Sequence, residues 1–470
     1  MLVTESMDYA ASELVIDPVL IRKYDVSGPR YTSYPTADRF VEAFGEEAYG
    51  NWLAKRNIGG ISQSLSLYLH LPFCPNICYY CACNKVVTKD HGRSAKYIKY
   101  LARELALVSG RLGRERAISQ IHWGGGTPTF LAPEEMRALM RAIEANFERL
   151  PGAECSIEVD PRCLEPGRLA ELAALGFNRI SIGVQDFDRQ VQEAIHRVQS
   201  EAETRRAVEE ARANGYVSVN FDLIYGLPKQ SLDGFGATLE KVLDLSPDRI
   251  ALYSYAHLPS VFKPQRRIND DDLPAGEQKL QLLTLAIGRL TRAGYRYIGM
   301  DHFARPNDDL AVAQRQGRLT RNFMGYQTQG DGDVLGFGIS AIGKIGPAYY
   351  QNVKTLDEYY ERLDEARLPV MRGLELNADD LVRRAAIQAL ICHFRLSIES
   401  IELAYLVEFR SYFAAELAEL KRFEAEGLVE VSAEWIAITP KGRLLVRAIC
   451  MLFDRYLRES KQRARYSKVI

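Results

Sequence analysis

The chain has 470 residues, 47% hydrophobic and 26% charged, with 60 Lys and Arg against 61 Asp and Glu and a formal net charge of -1. That length is enough for a barrel-sized domain with smaller additions, and the balanced charge argues against a nucleic-acid or anionic-membrane partner. No apolar run reaches the roughly 18–20 residues of a membrane span, and the acidic start MLVTESMDYAASELVID is not a signal peptide. Four of the eight cysteines fall together, unlike a secreted disulfide framework. A cytoplasmic enzyme with reduced thiols is expected, monomeric by default.

Residues 1–60 read as an ordered N-terminal arm, with the Pro- and Tyr-rich stretch GPRYTSYPTADRF. A repeated rhythm follows, in which a short β-rich run precedes an amphipathic stretch. SLYLHLPF near residue 66 leads to AKYIKYLARELALVSG, and ISQIHWGGG near 118 to PEEMRALMRAIEANFERL. ECSIEVDP near 154 leads to PGRLAELAALGF, RISIGVQDF near 179 to ETRRAVEEARANGY, and SVNFDLIYGLP near 218 to FGATLEKVLDLS. RIALYSYAHLP near 249 closes the series. Such alternation predicts parallel strands joined by right-handed helical crossovers.

Each run carries its unusual residues at its C-terminal end: Cys74, Gly124 to Thr127, Glu158 and Asp160, Gln185 and Asp186, Asp222 and Tyr225, then His257. Convergence of six strand ends on one mouth fits a barrel; a doubly wound sheet would gather its chemistry at one switch point. The expected fold is α/β, a partial (β/α)6 TIM-like barrel over residues 61–310. Beyond 310 the rhythm stops. The Gly-rich GYQTQGDGDVLGFGISAIGKIG reads as a connection touching the mouth. Residues 311–470 read as a mostly helical C-terminal domain helping to cover the site, with a hairpin at EGLVEVSAEWIAITPKG. The winged-helix silhouette there lacks a basic face for DNA.

The segment FCPNICYYCACN sets Cys74, Cys78 and Cys81 at C-x3-C-x2-C on the loop leaving the first strand, with Cys83 two residues on. Structural zinc usually takes two separated ligand pairs, and no second pair is present. Closely spaced cysteines suit an iron–sulfur cubane, and three protein ligands would leave one iron open for chemistry. Spacing alone leaves Cys83 as a fourth ligand or a separate thiol. The isolated Cys155, Cys163, Cys392 and Cys450 read as buried thiols. With Tyr80 before the last cysteine, the cluster resembles the radical S-adenosylmethionine (SAM) signature.

Further stretches narrow this resemblance. YLHLPFC, CPNICYYCACNK, HWGGGTPT, IEVDPR, SIGVQDF, DLIYGLPKQ and YAHLP are similar to the oxygen-independent coproporphyrinogen III oxidases, as are GPRYTSYPTADRF, GMDHFARP, RNFMGY, TQGDGDVLGFGISAI and YSKVI. The similarity runs from about Tyr24 to Ile470. It implies oxidative decarboxylation of two propionates of coproporphyrinogen III to vinyl groups through a 5′-deoxyadenosyl radical, giving protoporphyrinogen IX. The alternative within the superfamily is a haem-binding chaperone, against which Cys83 and the N-terminal arm speak.

The resemblance also implies a [4Fe-4S] cluster on Cys74, Cys78 and Cys81, with Cys83 as a non-ligand catalytic thiol. It implies S-adenosyl-L-methionine held by Tyr68, Gly125, Gly126, Thr127, Glu158, Gln185, Arg197 and Asp222, with Ala256 and Ile342 at the adenosine. A reduced flavodoxin or ferredoxin would be the electron donor. Arg30, Lys85, Arg305 and Arg321 are candidate cations for the propionates. His70, His122, His257 and His302 are expected as packed, hydrogen-bonded residues. Met324 stands where the family pattern has Gln in RNFxGY.

Overall fold

A computed structural model describes residues 14–56, 64–112, 115–459 and 466. The start of the chain up to residue 13, the expected 60/61 border, and the closing YSKVI apart from Tyr466 lie outside the described residues.

Six parallel strands form the centre: Leu65–Leu71, Ala117–Gly125, Glu148–Val159, Arg179–Gln185, Ser218–Tyr225 and Arg249–Ser254, here the first to sixth barrel strands. They neighbour one another in chain order, and helices lie between them in sequence, as the partial (β/α)6 barrel requires.

The period-2 side-chain alternation is put to an inverted use. Leu65, Leu67, Leu69 and Leu71 are buried on one face of the first strand, while Ser66, Tyr68 and His70 take the other. Ile121 and Trp123, Cys155 and Ile157, and Phe221 and Leu223 continue the apolar face. Gln120 and His122, Glu154 and Glu158, and Asn220 and Asp222 line a shared internal cavity. The apolar core therefore lies between strands and helices, and the lumen is polar.

The helices follow from apolar stripes at helical spacing. His91–Arg111 buries Tyr97, Ile98, Leu101, Leu105 and Val108, and the Asp90 side chain caps it by accepting from the Gly92 N–H at 2.8 Å.

Strands beyond residue 310 join the same sheet. Val334–Phe337 pairs in parallel with the first barrel strand, and Ile342–Ile345, Ala348–Asn352 and Val370–Glu375 continue antiparallel. At the far edge His302–Ala304 and Arg296–Gly299 follow the sixth strand, giving 12 strands. The Gly-rich connection is thus largely strand, and a border at 310/311 leaves four strands of this sheet on its C-terminal side. A hairpin of Thr320–Asn322 and Gly325–Gln327 reaches the lumen, where Gln327 accepts from Gln120 and Met324 lines the cavity.

The C-terminal part is mainly helical, and the expected hairpin forms between Val429–Val431 and Trp435–Ile438. The arm is packed against it: Tyr31 and Tyr34 are buried, and the Tyr31 hydroxyl donates to Asp454 at 3.0 Å. Among the described residues no helix is long and apolar enough to cross a membrane.

Glu104 joins the helix His91–Arg111 to the sheet extension. Its buried carboxyl accepts from Gly338 N–H at 2.8 Å, Asn352 Nδ2 at 2.7 Å and Tyr359 O–H at 2.6 Å. Burial pushes its pKa up to about 7 against those donors. A carboxyl raised in the folded state binds more protons there than when unfolded, so its contribution falls as pH rises from about 4.5 to 7. Stability should decline by on the order of 3 kcal/mol across that window from this group. Anaerobic urea titrations at pH 5 and 7.5 should show a smaller decline in Glu104→Gln than in the parent; equal declines would remove Glu104 as the cause.

Candidate active site at the barrel mouth

The cysteine loop leaves the first strand and is fastened to the end of the second. Gly126 N–H donates to Leu71 O at 2.9 Å and Thr127 N–H to Phe73 O at 2.8 Å. The Thr127 hydroxyl reaches Cys74 Sγ at 3.6 Å. The glycines are explained by this contact. A Cβ on Gly126 would lie 2.6–2.7 Å from the Pro72 and Phe73 backbone, and one on Gly125, at φ +110°, 2.5 Å from the His70 ring.

Two guanidiniums face Cys78 Sγ, Arg162 at 3.6 Å and Arg197 at 3.7 Å. Both are paired to Asp160, at 2.6 Å and 2.9 Å, and Arg197 also donates to Gly183 O at 2.8 Å. Asp160 and Arg197 are each buried. Burial works against the Asp160 charge, but Arg197 and Arg162 hold its carboxyl below the usual range. The Arg197 Nε is buried without a hydrogen-bond partner. Asp160 was legible as a polar strand end; nothing in the sequence singled out Arg162.

The loop's other end is tied to the sixth unit. Gln265 Nε2 donates to Tyr80 O at 3.1 Å and Ala256 O at 3.2 Å. Lys85 Nζ donates to Cys81 O at 3.1 Å and Cys83 O at 3.3 Å, so it braces the loop from below. All four cysteines are free thiols, with Cys83 reached by solvent. Burial pushes Cys74 up to about 12, whereas a hydrogen bond with Cys83 brings Cys81 down to about 6.

Inside the mouth, Glu158 accepts from Gly125 N–H at 2.9 Å and sits 3.3 Å from His122 Nε2. Burial opposes its charge, yet His122 and the Gly125 N–H keep its carboxyl low. Asp222 accepts from Ser181 and Asn220, each at 3.0 Å, and burial with the nearby Glu158 charge pushes it up to about 6. Two carboxyls of one mouth thus titrate apart. Tyr68 lies within 3.0 Å of His70 Nδ1 and stacks on His122. Gln185 holds φ +65°, uncommon for a side-chain-bearing residue, where the fourth strand ends. Ile342 begins the second strand of the sheet extension, at its mouth end.

Other expectations land elsewhere. Asp186 faces a buried network with Thr238 at 2.6 Å and Gln230 at 2.6 Å. Arg305 lies at the opposite end of the barrel, bonded to Ser246 Oγ at 2.8 Å and stacked on Tyr295. Arg30 and Arg321 meet beside the lumen. His70, His122 and His257 are hydrogen-bonded as expected, but the buried Nδ1 of His302 has no partner. A cavity of 170 Å³ is lined by His122, Glu158, Asp222, Tyr253, His302 and Met324 among others. A larger groove between Leu232–Leu245 and Gly276–Arg292 lies on the outer face, away from the strand ends.

Residues 68–242 match the radical SAM superfamily and residues 376–445 the HemN C-terminal domain. The chain is 53% identical over 456 residues to the oxygen-independent coproporphyrinogen III oxidase of Pseudomonas aeruginosa, covering 97% of this chain and 98% of that one. It is 49% identical over 454 residues to the same enzyme of Escherichia coli K12, with the same coverage. The chain belongs to the oxygen-independent coproporphyrinogen III oxidase family. A solved structure described as coproporphyrinogen III oxidase (HemN) from Escherichia coli, a radical SAM enzyme, superposes with a TM-score of 0.90 at 46% identity, covering 95% of this chain and 100% of that one.

Radical SAM enzymes use a [4Fe-4S] cluster and SAM, and the residues present suit both. A cubane takes one thiolate per iron, so its three sulfurs stand apart. The two guanidiniums set positive charge beside Cys78 Sγ. The unpartnered Arg197 Nε, the Glu158 carboxylate and the Asp222 carboxyl offer the polar groups that an amino-acid and ribose moiety needs. Both relatives carry the oxidase name, which favours that reading over a haem chaperone.

Removing Asp160 would leave Arg162 and the buried Arg197 without this carboxylate. Asp160→Ala should lose about 3–5 kcal/mol, the range for breaking a buried pair on one side. Arg162→Ala, at a less buried partner, should lose less. Denaturant midpoints of the two variants would check this order, and the reverse order would refute it.

Proposed function

We propose that the chain carries out the oxygen-independent oxidative decarboxylation of two propionates of coproporphyrinogen III to vinyl groups, giving protoporphyrinogen IX. The observation that carries this reading is the cysteine loop at the mouth of a polar lumen, with two guanidiniums against Cys78. Its support is the 53% identity to a named oxidase over nearly the whole chain.

In this reading Cys74, Cys78 and Cys81 hold the [4Fe-4S] cluster, and Cys83 is a thiol at the mouth outside the ligand set. SAM would be held beside them: Tyr68, Ala256 and Ile342 would flank it, Gly125, Gly126 and Thr127 would present backbone, and Glu158, Gln185, Arg197 and Asp222 would take its polar groups. Bound there, the cluster and SAM would supply the radical chemistry that removes hydrogen from a propionate side chain, with carbon dioxide and one electron released, the electron to an external acceptor. A reduced flavodoxin or ferredoxin delivers the starting electron.

The protein's own part is positioning and charge. Arg162 and Arg197 offset negative charge at Cys78. Glu158, fixed by the Gly125 N–H, is an acceptor for hydroxyl or ammonium donors. His70 is kept neutral by burial, so it holds Tyr68 and the Asn84 carbonyl without adding charge. At the opposite end of the barrel Arg249 pairs with Asp308 at 2.9 Å and Arg179 with Asp309.

The test is an anaerobic assay of reconstituted protein with dithionite, SAM, coproporphyrinogen III and cell extract as the source of acceptor. Both 5′-deoxyadenosine and protoporphyrinogen should form in proportion. Deoxyadenosine without decarboxylated product would mean another substrate; neither product, with tight haem binding, would favour the chaperone. Alanine at Cys74, Cys78 or Cys81 should abolish cluster absorbance and turnover, while Cys83→Ala should keep the cluster and lose turnover. Loss of cluster in Cys83→Ala would make it a ligand.

A further inference from the structure

Two arginines far apart in sequence meet beside the lumen, and neither is used by the chemistry above. Arg321 is 4% exposed, and its Nε donates to the Arg30 carbonyl at 3.4 Å. Its Nη1 is buried and has no hydrogen-bond partner. The guanidinium lies 4.8 Å from the centre of the Tyr326 ring, and that of Arg30 lies 5.5 Å from the Tyr253 ring. Tyr253, Tyr326 and His302 are all walls of the 170 Å³ cavity. His302 sits edge-on to both tyrosines, and its buried Nδ1 also lacks a partner.

Guanidinium groups gather here. Arg447 adds a third guanidinium, bonded to the carbonyls of Gly28 and Pro29. Against these stands Asp301, paired with Arg30, and Asp25 acts on Arg447. Grouping cations in a poorly hydrated place is unfavourable unless an anion joins them. The Arg30 side chain remains 31% exposed.

Resting on the oxidase reading above, we propose that Arg30 and Arg321 seat one propionate carboxylate of the tetrapyrrole. The carboxylate takes the unpartnered Nη1 of Arg321 and displaces Asp301 from Arg30, and a guanidinium fork suits its two oxygens. His302 lies beside this seat and, being neutral, adds no charge of its own. Asp301 acts as an internal stand-in that keeps Arg30 compensated when no substrate is bound.

The stand-in role gives variants of opposite sign. Coproporphyrin III and its tetramethyl ester serve as probes, with binding to the reconstituted enzyme followed by porphyrin absorbance. The parent should bind the free acid more tightly than the ester. Arg321→Met and Arg30→Met should each weaken free-acid binding by about tenfold to a hundredfold, the loss expected for a hydrogen bond to a charged group, and leave ester binding unchanged. Asp301→Asn should tighten free-acid binding, an outcome that a merely damaged fold would not produce. Free-acid binding unaltered in the arginine variants, or weakened in Asp301→Asn, would overturn the seat while leaving the oxidase reading intact. A parent that binds neither porphyrin would instead count against that reading, and the seat would fall with it.

Discussion

The mouth of this barrel is organised by one carboxylate. Asp160 follows the third strand, yet it pairs with Arg162 beside it and with Arg197 from the fourth unit. Both cations then reach Cys78, which belongs to the loop after the first strand. A single buried charge thereby couples three βα units. Coulombic attraction in a poorly hydrated site is strong, but so is the penalty of stripping water from each ion. The arrangement holds because two guanidiniums share one carboxylate and spend further donors on Gly183 O and on sulfur. Displacing any member would strand the others, so the loop has one position relative to the strands.

The inverted barrel makes this possible. Apolar side chains face the helices, and the lumen face is left for Gln, His, Glu, Asn and Asp. Such a lumen would be costly if unpaired. It is instead laced by short contacts, Ser181 and Asn220 on Asp222, and Ser156 and Glu158 on His122. The two lumen carboxyls then behave differently for a physical reason. Glu158 has a backbone N–H and an imidazole as partners and stays charged, whereas Asp222 has neutral partners, feels Glu158, and rises towards 6.

The barrel was legible because its two signals are local: β-rich runs alternating with amphipathic helices, and polar residues where each run stops. The cysteine loop was legible for the same reason. Long-range pairings were not. Val334–Phe337 is short and contains Gly336, whose position against the Ile342 backbone leaves no room for a side chain, so the glycine that permits the pairing also hid the strand. Asp186 showed how a strand-end position misleads, since its side chain turns to Thr238 and Gln230 instead of the mouth. Arg162 stood in the IEVDPR stretch without a role and Gln265 carried no signal, because their work depends on which loops come to lie beside them. Gly125 and Gly126, expected at the cofactor, are also required by close contact with His70 and the Pro72–Phe73 backbone.

The division of labour follows from the barrel's incompleteness. Six strands do not close on themselves, and the sheet instead continues at both edges, through Val334–Glu375 on one side and His302 and Arg296 on the other. A hairpin then brings Met324, Tyr326 and Gln327 into the lumen. The groups around the cysteine loop belong to βα units whose register is fixed by parallel pairing. Beside the lumen, Arg179 and Arg249 come from barrel strands, whereas three further cations come from outside those units: Arg30 from the arm, Arg321 from the hairpin and Arg447 from a C-terminal helix. Reactive geometry is thus assigned to the part of the fold with the least freedom. The arm and the hairpin lie outside those strands. Met324 lies in that hairpin, on the lumen wall and not among the strands that hold the mouth.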